Sequence, residues 1–189
     1  MYWPISSQLY GYHASRRDYP LIHDTQLQIH CLIGNRILTR RNLGAPATHR
    51  PKLDHRIRLA AGPYEFAGTL ELDTAPLSAA WLVKEFPLKG TLRHGCWSGE
   101  AAWLPLDGAP QLALENATAY PRPGQILLYT GTTSAAELLI PYGACAFASK
   151  AGALAGSPVI TLDDSFEDLR ALGSLLIAKG VQSLKLNWF

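Results

Sequence analysis

Cysteine is scarce. The 189 residues hold three, Cys31, Cys96 and Cys145, an odd number with no CxxC pair among them. A disulfide framework and a cysteine-rich metal site are therefore not expected, and a reducing, cytoplasmic setting is. No run of 18 or more apolar residues occurs, so no membrane span is expected. The first residues lack the basic-then-apolar order of a secretion signal. Charge is also thin: 17% of residues are charged and the net charge is +2, which gives no case for a nucleic-acid or membrane partner. Aromatics do not interleave with a basic stripe. His13, His23, His30, His49 and His55 show no HxH, HExxH or Cys–His spacing, so no metal is expected. "GALAGSP" has neither a P-loop nor a GxGxxG pattern, and no nucleotide or other cofactor is implied.

What is present is unevenly distributed. Residues 1–54 carry seven Lys or Arg against three Asp and no Glu, whereas the remainder carries ten basic against twelve acidic side chains. The first 54 residues show one short apolar run, "LQIHCLIGNRILT", in Arg-, Pro- and Gly-rich surroundings. They are expected to form an irregular or peripheral arm, followed by one domain over residues 55–189.

In that domain "HRIRLAAGPYEFAGTLEL" alternates on both sides of Gly62-Pro63, the pattern of a β-hairpin. "TAPLSAAWLVKEFP" spaces Leu77, Ala80, Trp81 and Phe86 for a helix, with Asp73 or Thr74 as cap and Pro87 as stop. "LRHGCWSGEAAWLPL" suggests two strands around a Ser98-Gly99 turn. "GQILLYT", "AELLIPYGACAFAS" (divided near Pro141–Gly143), "SPVITL" and "VQSLKLNWF" are further strand candidates. "DDSFEDLRALGSLLIAKG" has early acids, a late Lys179, Gly180 as terminator, and Phe166, Leu169, Leu172, Leu175 and Leu176 on one face of a helix. Many short strands with two helices predict a mainly β protein, a closed antiparallel barrel with two α-helices packed across it.

The runs "WSGEAAWLPL", "LENATAYPRPGQILLYTG" and "ELLIPYGACAFASKAGALAG", in that order, resemble the bacterial domain-of-unknown-function family numbered 3830, of the cyclophilin-like superfamily. The resemblance covers roughly residues 55–189 and departs from the family's pattern at Ser157, where an amide side chain is expected. It implies a cyclophilin-like eight-stranded barrel. Proline isomerase activity is not implied, because nothing like the "FMxQGGD" stretch of true cyclophilins is found. The superfamily also includes the cucumopine and mikimopine synthases, which cyclise histidine with a keto acid. That distant relation suggests imine or amide chemistry on a small polar substrate.

Candidate site residues each carry a plainer alternative. With a Ser98-Gly99 turn, Trp97 and Glu100 would face one another, on one face with Arg93, while His94 and Trp103 would share the other, core-facing side. Glu100 is then a general acid or base beside an aromatic wall, or an exposed turn carboxylate paired with Arg93. Glu137, alone among apolar neighbours in "SAAELLI", is a second catalytic carboxylate or an outward edge position. Lys150 in "FASKAG" anchors or activates a substrate, or is a solvated strand end. Tyr129 and Tyr142 are ligand hydrogen-bond donors or core aromatics. A serine nucleophile at Ser98 or Ser149 lacks a GxSxG setting and partners.

Two readings follow. In one, a barrel-mouth pocket near Trp97, Glu100, Tyr129, Glu137, Tyr142 and Lys150 binds a small polar metabolite, with acid–base chemistry by Glu100 or Glu137 and Lys150. In the other, the protein is a non-catalytic accessory or homo-oligomeric subunit of a metabolic enzyme.

Overall fold

A computed structural model describes residues 55–163 and 166–189. The expected N-terminal arm, with its apolar run, lies outside these described residues, as does Asp164, which with Asp163 is one of two candidate caps in "DDSFEDLRALGSLLIAKG".

The elements in chain order are β1 (Arg56–Ala61), β2 (Tyr64–Leu70), α1 (Pro76–Lys84), β3 (Leu88–His94), β4 (Gly99–Pro105), β5 (Gln125–Tyr129), β6 (Glu137–Cys145), β7 (Ala148–Ser149), β8 (Gly152–Ala153), β9 (Ser157–Leu162), α2 (Phe166–Lys179) and β10 (Gln182–Trp188). Eight strands close in the order β1-β10-β3-β4-β6-β5-β9-β2, every pairing antiparallel. Closure leaves no edge in the barrel for another chain to extend. β7 and β8 form a separate small hairpin.

The β1–β2 hairpin turns at Gly62-Pro63 as the alternation requires, with Ala61 opposite Tyr64. Gly62 sits at φ +55°, a conformation that glycine adopts without penalty. Side chains alternate across each strand, so one pleat of every strand points into the barrel. Ile57 and Leu59 of β1, Ala102 and Leu104 of β4, Leu138 and Ile140 of β6, and Leu184 and Leu186 of β10 belong to this interior. The barrel is filled, as expected at eight strands.

The helices join the same apolar cluster. α2 packs against β3, β4 and β6, burying Leu169, Leu172 and Leu176. Burial of each leucine contributes about 1.5–3 kcal/mol. Gly180, at φ +79°, ends the helix as its sequence suggests. Phe166, however, is exposed. α1 packs against β9 with a different face from the expected one. Ser78, Ala79 and Leu82 are buried, and Leu77 is exposed. Neither Asp73 nor Thr74 caps α1, whose N-cap is Ala75. Its free N–H groups are met from a distance: Leu77 and Ser78 both donate to the Glu115 carboxylate, at 3.0 and 2.8 Å. The Glu115 N–H in turn donates to Ser157 Oγ at 2.9 Å. A loop carboxylate thus does the work of a cap, favoured also by the helix dipole.

A second, smaller apolar cluster lies on the outward pleat of β4, β5 and β6. Ala101, Leu127, Tyr129 and Leu139 are covered there by Phe147 and Leu154, which flank the β7–β8 hairpin. Among the described residues no helix is long and apolar enough to cross a membrane.

Replacing Glu115 by Ala strands the two N–H donors of α1 and is expected to cost about 1–2 kcal/mol. The urea midpoint of unfolding measures it. An unchanged midpoint would show that water caps α1 equally well.

Candidate functional site

The β3–β4 connection decides what reaches the outward pleat. The expected Ser98-Gly99 two-residue turn is not formed. Arg93 pairs with Trp103 and His94 with Ala102, so the loop runs from Gly95 to Ser98. This register differs by one residue from the expected one, which exchanges the two faces. Trp103, expected on the core-facing side with His94, is on the outward pleat beside Arg93, whose guanidinium lies 5.8 Å from the indole centroid. His94 lies on the opposite face, where its Nδ1 meets the Tyr142 hydroxyl at 2.8 Å.

Glu100 sits at an irregularity. Gly99 pairs with Cys145 but Ala101 with Pro141, so Tyr142, Gly143 and Ala144 of β6 oppose Glu100 alone. β6 therefore continues as one strand where a division near Pro141–Gly143 was expected, and a bulge absorbs the extra residues. The Ala144 N–H donates to the Glu100 carboxylate at 2.6 Å, satisfying a donor at the bulge. A Cβ on Gly143 would lie 2.2 Å from Glu100 Oε2, so only glycine leaves room for this contact. Glu100 is exposed, pairs with this amide and not with Arg93, and raises the pKa of Tyr142 only as a second cause after burial. Tyr142 is itself buried in the main core, its ring so close to α2 that a Cβ on Gly173 would come within 2.4 Å.

A cleft of about 270 Å³ opens over the outward pleat of β4 and β6. Trp97 and Cys96 from the β3–β4 loop, Trp103, Glu137, Leu139, Ser134, and Ser149 and Lys150 of the β7–β8 hairpin line it. Buried Ser98 ties its two sides together. The Ser98 hydroxyl donates to the Ala148 carbonyl at 3.0 Å and accepts from the Ala148 N–H at 3.1 Å. The Ala146 N–H also donates to the Ser98 carbonyl at 3.1 Å.

Of the six expected site residues, Trp97, Glu137 and Lys150 share this cleft. Glu100 and Tyr142 are not part of it. Glu137 pairs with Pro105, five residues along β4 from Glu100, a separation of about 16 Å along the strand. The two carboxylates therefore cannot act on one atom. Tyr129 lies directly across from Glu137 on β5, packed edge-on against Phe147. Its hydroxyl accepts from the Thr133 N–H at 3.2 Å, so it supports the cleft from the apolar cluster beside it. Trp103 was missed as a wall residue, because only the strand register sends it outward.

Glu137 is the unusual group. It is 9% exposed, and among the described residues no hydrogen-bond or ion-pair partner meets its carboxyl, whose oxygens keep a narrow contact with solvent. Burial pushes its pKa up from 4.5 to about 7. Lys150 shares the cleft but is exposed at the hairpin turn and forms no ion pair with it. Burial likewise pushes the Cys145 thiol up to about 11, which leaves it unreactive near neutrality. Among the described residues no three His, Cys, Asp or Glu side chains gather as metal ligands.

Comparison with known proteins identifies the family. The profile described as "Protein of unknown function (DUF3830)" matches residues 57–188. The chain belongs to this family. No curated protein matches the sequence. Among solved structures, McbB in complex with tryptophan is similar, with a TM-score of 0.53 and 14% identity. The match covers 70% of this chain and 44% of that one, and it shows a shared fold.

Two outcomes test this geometry. Gly143→Ala should destabilise the protein by about 1–3 kcal/mol by evicting the Glu100 carboxylate, and most of that cost should vanish in a Glu100→Gly background, which also removes the Glu100 Cβ 2.9 Å from the added methyl. Equal costs in both backgrounds would separate Gly143 from Glu100. The buried acid makes a second prediction. A carboxyl whose folded pKa is raised holds its proton more tightly when folded, so its contribution is full below pH 4.5 and is lost as pH rises through about 7. Between pH 5 and 8 the native protein should therefore lose about 2 kcal/mol more stability than Glu137→Gln, after allowance for solvent at the cleft mouth. Parallel urea titrations at the two pH values measure it, and matching losses would place Glu137 in water.

Proposed function

We propose that this protein binds a small polar metabolite in the cleft over β4 and β6, with Glu137 as the group that gives or takes a proton. The observation that carries the reading is the carboxyl of Glu137, buried, without a partner and lining a cleft. Such a group is costly to the fold unless a ligand compensates it. Its pKa near 7 keeps both protonation states populated at neutral pH, the condition for efficient general acid or base action. The indoles of Trp97 and Trp103 flank the cleft as apolar walls. The similarity of the fold to McbB, whose structure holds tryptophan, supports a small-molecule ligand. Glu100 holds the bulge in this reading and takes no part in chemistry.

A thermal-shift screen against a metabolite panel tests the proposal. A true ligand at about 100 times its Kd should raise Tm by roughly 5 °C. Glu137→Gln and Trp103→Ala should each abolish the shift, while Glu100→Ala, lower in Tm, should keep it. Hits that survive both cleft substitutions would place the binding site elsewhere.

A further inference from the structure

We infer that the cleft selects a primary ammonium group carried on a flat apolar body, with the ammonium seated on Glu137 between the indoles of Trp97 and Trp103. The inference rests on the cleft being the ligand site and names the charge of what enters it.

The polar groups of the cleft divide by depth. Glu137 is buried and unpartnered, whereas Lys150 is exposed at the turn of its hairpin. The negative group is thus deep and the positive one shallow. A neutral ligand would leave the acid protonated and make little use of it. An anion would meet a carboxylate with no cation beside it. An ammonium, by contrast, supplies the missing partner through charge-assisted hydrogen bonds. Indole faces attract cations as well, and Trp103 already holds the Arg93 guanidinium 5.8 Å from its ring centroid. Leu139, Ala135 and Ala148 complete a lining suited to an apolar body.

The other ionisable groups around Glu137 do not supply its counter-charge. Lys150 on the hairpin makes no ion pair with it, and Cys96 on the β3–β4 loop is exposed. Tyr129, opposite on β5, directs its hydroxyl to the Thr133 N–H, and Arg93 on β3 lies over Trp103. Because Glu137 titrates near 7, an ammonium that needs the carboxylate should bind about tenfold more tightly at pH 8 than at pH 6.

Calorimetric titration with three probes of one shape tests the charge: 2-phenylethylamine, 2-phenylethanol and 3-phenylpropionate. At pH 8 the amine should bind at least about tenfold more tightly than the alcohol, and the acid should bind worst. Glu137→Gln should make the amine and the alcohol equal. Lys150→Ala, at an exposed turn where folding is not at stake, should leave the amine's affinity the same or tighter, since it removes a repelling charge. If the alcohol or the acid binds as well as the amine and Trp103→Ala weakens it, the ammonium inference fails and the cleft stands as the ligand site. If none of the three binds at millimolar concentration the inference fails, and screen hits that depend on Trp103 judge the cleft separately. Amine binding that weakens in Lys150→Ala, or shows no pH dependence, also overturns it.

Discussion

A side chain on β6 must either enter the closed barrel or stand outside it. Leu138 and Ile140 take the interior, so Glu137 and Leu139 face outward. A carboxyl at an inward position would be packed among leucines with no route for a ligand. At an ordinary outward position it would be solvated and chemically unremarkable. Glu137 is neither, because the outer face of β4, β5 and β6 carries its own apolar cluster under Phe147 and Leu154. The properties of the acid follow from its place beside that cluster, where it is 9% exposed and meets no partner.

The cover is held by few contacts. Phe147 N–H donates to the Ala119 carbonyl at 2.7 Å, and Thr118 bridges to Gly156. Ser98 adds both hydrogen bonds of its hydroxyl, to Ala148. These join the β3–β4 loop, which brings Trp97, to the hairpin that brings Lys150. The two rims of the cleft thus come from segments about 50 residues apart in sequence, linked through one buried serine. Loops on a rigid scaffold commonly carry binding groups, and here the scaffold is the barrel wall.

Much of the fold was legible in the sequence because its signals are local. Gly62-Pro63 between two alternating runs specifies a hairpin, and the acids, leucines and Gly180 of α2 specify a helix with its end. The family runs "WSGEAAWLPL" and "ELLIPYGACAFASKAGALAG" led to the eight-stranded barrel. What could not be read was register. "HGCWSGE" allows a turn at Ser98-Gly99 as readily as the longer Gly95–Ser98 loop, and the choice depends on pairing with β6, far along the chain. One residue of difference moved Trp103 from the core-facing side it was expected to share with His94 to the outward pleat, and Glu100 stands apart from the cleft. The buried face of α1 was obscured for a similar reason. Its cap is Glu115, 37 residues beyond Ser78, and no local pattern announces it.

Glu100 and Glu137 show why a residue type in apolar company is a weak guide to chemistry. Both are single carboxylates among small and apolar neighbours. Glu100 is exposed and engaged by the Ala144 N–H at a bulge that Gly143 keeps open, so its ionised form already has water and a donor. Glu137 keeps little water and has gained no donor, and its protonated and ionised forms lie close in free energy near pH 7. What distinguishes them is the strand pairing that puts one at the bulge and the other in the cleft beside the outer cluster. The acid in "GCWSGE" shapes the ladder, and the acid in "SAAELLI" is the one that a ligand can discharge.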